Sequence, residues 1–403
     1  MAAHGFPSRP AAGGHASRSG HLHDIREAAA NTPFPRGVPG DWSRPTRIGR
    51  AARIGGVTLA ALLGIGTATA GTTSGIALAD TATRDSSISS ALPGGEGSAL
   101  FPTADWLWKP IPSNPALAAD SATWVSYLAA PDGKRVANLC DYGVTLIPAS
   151  AITPSTPRYD VEFKNVGTWG SDPFGSSASS MVALPRGTKI PPGSDGHVAV
   201  VDRAKGQVFG IWQARYNSET DTWTASWGGR TPINGPGSGI DQAGSATASG
   251  ISRYAGVVTA AEFSTAVADN TGLNHALVFS TDIAGPDFVG PAIKSDGANM
   301  AGVANPIPEG YRIQLDPTID IDAIPNITAG ERVIAKTLQT HGAYVVDQGG
   351  ARMAFIFETV PDANATNPGA AYIRAGFNWD YYDMTNIPWT QLRVLNAERT
   401  TVG

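Results

Sequence analysis

The sequence contains a single cysteine, Cys140, among 403 residues, so the chain cannot form an internal disulfide. Its stability must therefore come from the burial of apolar side chains, which a chain of this size can supply. Unpaired cysteine is one of the most buried residue types, and no histidine lies near Cys140 in the sequence to activate it. We therefore expect a buried and unreactive thiol.

Several signatures of well-known enzyme classes are also missing. The sequence has no Gly-x-Ser-x-Gly nucleophile elbow, no Gly-Lys-Ser/Thr phosphate loop and no His-Glu-x-x-His zinc motif. These absences count against an α/β-hydrolase, a P-loop NTPase and a helical zinc protease. We predict that the protein uses no cofactor and no resident metal.

Positive charge is scarce as well. Residues 80–403 contain 21 lysines and arginines against 31 aspartates and glutamates, which gives a net charge of −10. Such a balance counts against nucleic acid and anionic membrane surfaces as partners. A neutral or cationic ligand is a better match for this surface.

The first 79 residues have the organisation of an export segment. Four arginines between positions 44 and 53 precede an apolar run at 54–79, which ends in Ile-Ala-Leu-Ala, a small-residue cleavage pattern. Glycine, serine and threonine interrupt the run, which favours a cleaved signal peptide over a membrane anchor. We therefore predict a secreted, extracellular protein that keeps no membrane attachment after cleavage before Asp80.

The rest of the sequence is predicted to form one domain. Residues 80–99 are rich in serine, threonine and glycine, which is typical of a flexible linker. Short apolar or alternating runs follow, separated by turn residues, and we expect a single β-rich domain over 100–403. The runs that predict strands are 158–163, 197–202, 207–213, 222–227, 275–280, 311–315, 343–347 and 353–359.

Two capping boxes predict helices. Thr259 and Glu262 mark the start of a helix at 259–267, and Thr328 and Glu331 mark another at 332–340. Both glutamates thereby have a structural role, so we discount them as catalytic acids. The predicted fold class is mainly β, a β-sandwich or jelly-roll-like domain with two short helices.

Candidate catalytic residues concentrate between positions 193 and 282. Asp195 and His197 precede a strand that ends at Asp202, where they form either an oriented acid–base pair or an ordinary turn. Asp241 lies on a long Gly/Ser-rich loop, and His275 begins a later strand. The carboxylates are candidates for acid and base, and the histidines for holding substrate or tuning a carboxylate.

Candidate binding residues lie on a predicted hairpin formed by 207–213 and 222–227. Exposed tryptophans are the usual platform for sugar rings, because sugar C–H groups stack on the ring face. Trp212, Trp223 and Trp227 therefore predict a substrate platform, with Arg230 beside it. A tryptophan-rich sandwich core is an equal alternative, because tryptophan is largely buried in most proteins.

Five short segments carry a likeness to other proteins. They are Ser-Asp-Gly-His-Val-Ala-Val-Val-Asp at 194–202, Thr-Ala-Ser-Trp-Gly-Gly-Arg at 224–230, Ser-Ala-Thr-Ala-Ser-Gly at 245–250, Asn-His-Ala-Leu at 274–277 and Ala-Tyr-Val-Val-Asp at 343–347. In this order they resemble a widespread, largely uncharacterised family of secreted actinobacterial β-rich proteins. The resemblance implies secretion and covers most of the exported chain, but it implies no mechanism.

The leading functional hypothesis is a secreted glycoside hydrolase that acts on an extracellular polysaccharide through paired carboxylates. One alternative is a non-catalytic cell-wall or glycan-binding protein, which needs the tryptophan platform and no acid pair. A further alternative is a metal-dependent hydrolase that uses His197 and His275, since zinc accepts such ligands. All three hypotheses depend on side chains that lie far apart in the sequence.

Overall fold

A computed structural model of the protein describes residues 100–175, 181–239, 245–364 and 366–397. These residues all belong to one compact unit. The predicted export segment, the predicted linker and the candidate acid Asp241 lie outside the described residues. Among the described helices, none combines the length and apolar character needed to cross a bilayer.

Strands predominate, which confirms the predicted β-rich class, and each of the eight predicted runs contains strand residues. The strands are β1 (Arg135–Asn138), β2 (Val144–Ile147), β3 (Arg158–Tyr159), β4 (Glu162–Phe163), β5 (Val182–Ala183), β6 (His197–Asp202), β7 (Gln207–Trp212), β8 (Arg215–Asn217), β9 (Thr222–Ala225), β10 (Trp227–Pro232), β11 (Leu277–Thr281), β12 (Ala284–Phe288), β13 (Ile307–Glu309), β14 (Arg312–Leu315), β15 (Ala343–Gln348), β16 (Met353–Ile356), β17 (Tyr382–Asp383) and β18 (Leu392–Val394). The helices are α1 (Asp105–Trp108), α2 (Ser121–Leu128), α3 (Ala260–Asp269), α4 (Ala329–Thr340) and α5 (Ala370–Arg374).

The larger sheet has seven strands in the order β17-β1-β16-β11-β15-β14-β18. Its β1–β16 and β11–β15 pairs are parallel, and its other pairs are antiparallel. Parallel neighbours need long crossover connections, which the intervening helices supply. This mixed sheet does not confirm the antiparallel strand order of a jelly roll.

A second sheet, β10-β7-β6-β2, packs face to face on the first. Ala199 and Val201 of this sheet share a core with Val278 and Val346 of the larger sheet. Because side chains alternate along a strand, the neighbouring residues of β6 point the other way. They enter a separate core beneath the small β3–β5 and β4–β9–β8 sheets, as the alternation in the sequence predicts.

Helices α3 and α4 cover the opposite face of the larger sheet, where their apolar side chains join its core. Both capping boxes are present, with side-chain and backbone bonds made reciprocally. The α4 helix begins at Ala329, a few residues before its predicted start, because its first turn includes the capping box itself. It ends before Gly342, whose φ of +67° and close approach to the Ile313 carbonyl leave no room for a Cβ.

The predicted hairpin between 207–213 and 222–227 is wrong in its pairing. Strand β7 pairs with β10, which places Trp212 opposite Trp227. Strand β9 pairs instead with β8, which lies inside the loop expected between the two strands. The reason is a change of direction at Gln213, whose φ of +56° takes the chain out of the second sheet.

Candidate functional site

The start of β6 carries the first two candidate residues. Asp195 accepts a hydrogen bond from Trp212 Nε1 at 3.3 Å and another from Ser194 Oγ at 3.4 Å. Burial raises the pKa of Asp195, although the Trp212 hydrogen bond opposes that effect. His197 is buried, and burial followed by the charge of Arg253 lowers the pKa of His197 well below its usual value. His197 is therefore neutral and is not a general acid at neutral pH.

Asp195 lies at the rim of three carboxyl groups that we call the acidic cluster: Asp296, Glu309 and Asp347. Glu309 ends β13, Asp347 lies near the end of β15, and Asp296 follows β12. Backbone hydrogen bonds hold these segments together. Gly310 N donates to Val345 O at 2.8 Å, and Gln348 N donates to Asp296 Oδ1 at 3.2 Å. Backbone N–H groups at the ends of β13 and β15 thus help to position the cluster.

Within the acidic cluster, Asp296 and Glu309 form a pair of interacting carboxyl groups. Glu309 is fully buried, and its oxygens receive no hydrogen bond from a donor group among the described residues. Burial, then the Asp296 charge, raises the pKa of Glu309 well above its usual value. Burial, then the Asp347 charge, raises the pKa of Asp296 to about 6. Two neighbouring buried carboxyls do not readily ionise together, so this pair retains a proton to higher pH than an isolated carboxyl does.

The third acid of the cluster is bound to a buried cation. Arg253 Nη2 lies 2.5 Å from Asp347 Oδ2, and the two side chains are 3% and 18% exposed. Ala248 N also donates to Asp347 Oδ1 at 2.8 Å. These donors leave Asp347 as an ion-paired carboxylate beside the protonated pair. The site therefore combines a carboxyl that carries a proton with a carboxylate that does not.

The Gly/Ser-rich loop predicted to be functional forms one wall of the acidic cluster. Its described residues 245–252 run alongside β15, and Ser249 N donates to Val346 O at 3.0 Å. Gly250 has a φ of +76°, and a Cβ there would lie 2.4 Å from Ile293. This close contact joins the loop to the segment that carries Asp296. Asp241 belongs to the same loop but lies outside the described residues.

The predicted aromatic platform divides into buried and accessible parts. Trp223 and Trp227 are 3% and 7% exposed, and Trp223 belongs to the core beneath the small sheets. Trp212 is partly exposed and stacks on Trp169 with ring centroids 6.0 Å apart. Arg230 is exposed on β10, opposite Phe209 in register. Of the three predicted tryptophans, Trp212 is thus the one whose ring can meet a ligand beside Asp195.

Two further candidate residues lie away from the acidic cluster. Asp202 is 1% exposed and forms an ion pair with Arg158 at 2.6 Å, so it fastens the end of β6 to β3. His275 is fully buried, and its Nε2 lies 3.3 Å from Glu262 on α3. Among the described residues, the group with the spacing of a metal site includes neither His197 nor His275, so these two histidines do not form one ligand set.

Within the described ranges, one group of side chains has the spacing of a metal site: Cys140, Asp141 and Asp380. The Asp380 carboxylate already accepts backbone hydrogen bonds from residues 139–141. Burial, followed by the Asp380 charge, raises the pKa of the Cys140 thiol to about 11. Metals bind the thiolate, so this group does not fit a metal ion. The expected burial of Cys140 is confirmed.

A cavity of about 370 Å³ lies elsewhere, beside α2, and is lined partly by Trp124 and Tyr127. Arg352 covers the Tyr127 ring at 3.8 Å and donates to the Tyr127 carbonyl and to Asp132. Its charge is therefore already used within the protein. None of the candidate residues that the structure describes lines this cavity.

Comparisons with protein-family models, curated proteins and solved structures found no match to this chain. The likeness to secreted actinobacterial proteins therefore stays a prediction. Sequence reasoning missed Asp296, Glu309 and Arg253 as parts of the site. No local signal marked Glu309, because a glutamate between Pro308 and Gly310 is also typical of an exposed turn.

Proposed function

We propose that the protein is a secreted glycoside hydrolase that cleaves an extracellular polysaccharide through paired carboxylates. The observation that carries this proposal is the proton-holding Asp296–Glu309 pair beside the ion-paired carboxylate of Asp347. Glycosidases need one carboxyl that is protonated at working pH and a second that is ionised. The different surroundings of the three acids separate those two roles.

In this proposal Asp296 donates a proton to the glycosidic oxygen, because it is the partly exposed member of its pair. Glu309 lies fully buried behind it, and burial together with the Asp347 charge raises the pKa of Asp296. Asp347 is the second carboxylate and serves as base or nucleophile. Arg253 holds it in place through the 2.5 Å ion pair.

Substrate contacts come from the rim of the acidic cluster. The Trp212 ring offers a face for a sugar, and the adjacent Asp195 carboxylate accepts hydroxyl donors. This assignment keeps Asp195 and Trp212 from the sequence-based candidates. It removes Asp202, His275, Trp223 and Trp227, whose burial and internal partners give them structural roles.

The test is incubation of the purified chain with a panel of plant, fungal and bacterial wall polysaccharides, read for new reducing ends and unsaturated ends. Reducing ends without unsaturation support a hydrolase. We expect Asp296→Asn and Asp347→Asn each to lose about 100-fold or more in rate, the scale of general acid–base catalysis. The control is Asp105→Asn, whose side chain is 68% exposed on α1.

Full activity of Asp296→Asn on a substrate that the parent cleaves would exclude Asp296 as the proton donor. A second candidate function, a non-catalytic glycan-binding protein, is favoured by the Trp212–Trp169 stack. It is supported if no product appears from any polysaccharide while the protein is depleted onto an insoluble glycan. Unsaturated products would indicate a lyase instead.

A further inference from the structure

Aromatic side chains continue from the site across a second surface. Trp379 contacts Tyr381 with ring centroids 6.3 Å apart, and Tyr381 contacts Tyr142 at 6.0 Å. The Tyr142 hydroxyl lies 3.4 Å from Ser194 Oγ, and Ser194 bonds to Asp195. Beyond Asp195 the line continues to Trp212. We call the rings of Trp379, Tyr381, Tyr142, Trp212 and Trp169 the aromatic track.

The aromatic track is built on a rigid base. The Asp380 carboxylate accepts backbone N–H groups from residues 139–141, which fixes the Trp379 segment to the Tyr142 segment. Tyr381 Oη donates to Asp141 Oδ2 at 2.7 Å. Gly193 N donates to the Asp141 carbonyl at 3.1 Å, and a Cβ on Gly193 would approach that carbonyl oxygen to 2.3 Å. Three distant segments are thus locked into one surface.

The rings of the track are accessible. Trp379 is 43% exposed, and Tyr381, Tyr142, Trp212 and Trp169 are each partly exposed. Large aromatic rings in a row rarely remain at a protein surface without a ligand or partner. The carboxylates of Asp141 and Asp195 lie between the rings. Ring faces alternating with acceptors match a chain of sugars, which presents C–H groups and hydroxyl donors by turns.

We propose that the aromatic track binds several consecutive sugar units of a neutral polysaccharide, which makes the protein an enzyme of long chains and not of short oligosaccharides. This inference rests on the proposed function, because the track leads to the acidic cluster through Asp195. The carboxylates along the track repel anionic polymers, and the net charge of −10 over residues 80–403 adds to that repulsion. Trp379 lies at the end of the track farthest from the acidic cluster, so only a long polysaccharide chain reaches it.

The test separates binding from cleavage by using Asp296→Asn in the full chain. Affinity electrophoresis is run in gels that contain mixed-linkage β-glucan, xyloglucan, galactomannan or carboxymethylcellulose. We expect retardation by at least one neutral polymer and none by carboxymethylcellulose. Adding Trp379→Ala is expected to weaken polymer binding about tenfold, the scale of one aromatic contact. Binding of a di- or trisaccharide of the same polymer should be unchanged.

Two further variants serve as controls. Tyr216→Ala removes an aromatic ring that is 38% exposed but contacts Tyr159 and Trp223 away from the track, and it should not change retardation. Trp379→Phe keeps a ring and should retain most of the binding. Equal unfolding midpoints in urea show that each variant is folded.

The outcomes distinguish the two proposals. If retardation depends on Trp379 but the protein that keeps Asp296 gives no product, the aromatic track is supported and the hydrolase proposal is overturned. Products from the parent, with Trp379→Ala bound as tightly as its parent, overturn the track and leave the hydrolase standing. Absence of retardation by every neutral polymer, or retardation by carboxymethylcellulose, also overturns the inference.

Discussion

Arg253 and Asp347 form an ion pair across 2.5 Å at the centre of the site, although they are 94 residues apart in the sequence. The Arg253 charge also acts on Asp195 at the rim, where it lowers the pKa that burial raises. One buried guanidinium thus offsets two of the carboxylates that the fold gathers. Its removal has consequences for stability that are separate from any role in catalysis.

We predict that Arg253→Met destabilises the protein by roughly 3–5 kcal/mol, the usual cost of leaving one partner of a buried ion pair alone. The matched control is Lys109→Met. Lys109 makes an equally short 2.5 Å pair with Asp105, but both side chains are 68% exposed. Loss of that pair should cost less than about 1 kcal/mol. Urea unfolding of the two variants measures both values, and equal losses would contradict a buried role for Arg253.

Glu309→Gln should change how stability depends on pH. A carboxyl whose pKa is raised in the folded state binds a proton that the unfolded chain has released. The Asp296–Glu309 pair therefore stabilises the fold at low pH, and this contribution falls as pH rises from about 4 through 6 and above. Gln keeps the shape and removes the titration.

The measurement for Glu309→Gln is the unfolding free energy at several pH values between about 4 and 8. We expect the variant to gain stability relative to the parent as pH rises across this range. Parallel curves for parent and variant would show that Glu309 has an ordinary pKa. The unfolding free energy of Glu309→Gln is compared with that of the parent at each pH, because the other buried acids titrate in both proteins and cancel in the difference.

His275 is a base and not an acid, but its contribution to stability should also fall as pH rises, because its folded pKa is raised as well. Burial lowers the pKa of His275, but the Glu262 carboxylate 3.3 Å from its Nε2 outweighs burial, so the pKa of His275 is raised above 6.5. Its contribution to stability is complete below pH 6.5 and is lost as pH rises through the raised folded value. Neighbouring His341 does not compete, because burial lowers its pKa to about 4.

For His275→Gln we predict a larger loss of unfolding free energy at about pH 5 than at about pH 9, measured in urea against the parent. His197→Gln is the matched control. The pKa of His197 is lowered, so only the unfolded chain gains a proton there as pH falls, and this substitution should cost less stability at about pH 5 than at about pH 9. An equal loss for His275→Gln at both pH values would show that the ion pair with Glu262 adds no stability.

Replacing Trp223 should mainly lower the unfolding free energy, whereas replacing Trp212 should mainly weaken polysaccharide binding. Trp223→Ala removes a ring that is 3% exposed and should cost about 3–5 kcal/mol of unfolding free energy. Trp212→Ala removes a partly exposed ring that stacks on Trp169, and we expect a cost nearer 1 kcal/mol. Trp212→Ala should weaken polysaccharide binding far more than it weakens the fold. A large stability loss for Trp212 with unchanged binding would place it among core residues.

Local patterns were enough to predict several elements of this fold. The two capping boxes identified α3 and α4, because a cap depends on residues three positions apart. Alternating runs identified strands such as β6, since the period of a strand is local. Pairing was harder. The hairpin error arose because one positive φ, at Gln213, sends the chain into another sheet.

The site itself shows the same limit. Asp195 was predicted because it lies beside His197 at the start of a strand, and Trp212 because it lies on a predicted strand of a tryptophan-bearing hairpin. Asp347 was not distinguished from other acids, and Asp296 and Glu309 were missed, because their surroundings exist only after folding. Their pKa shifts depend on burial and on charges carried by distant segments, neither of which a local sequence window contains.

By itself, the sequence determined that this chain is β-rich, that it has no disulfide and that helices begin at Thr259 and Thr328. Those properties follow from composition and short-range spacing. Only the tertiary structure decided which acids meet, since Arg253 and Asp347 become neighbours through the pairing of loop and strand across a long separation. Packing buries these carboxyls and brings other charges close to them, which raises their pKa values, and the spacing of residues along the chain does not reveal which acids are affected.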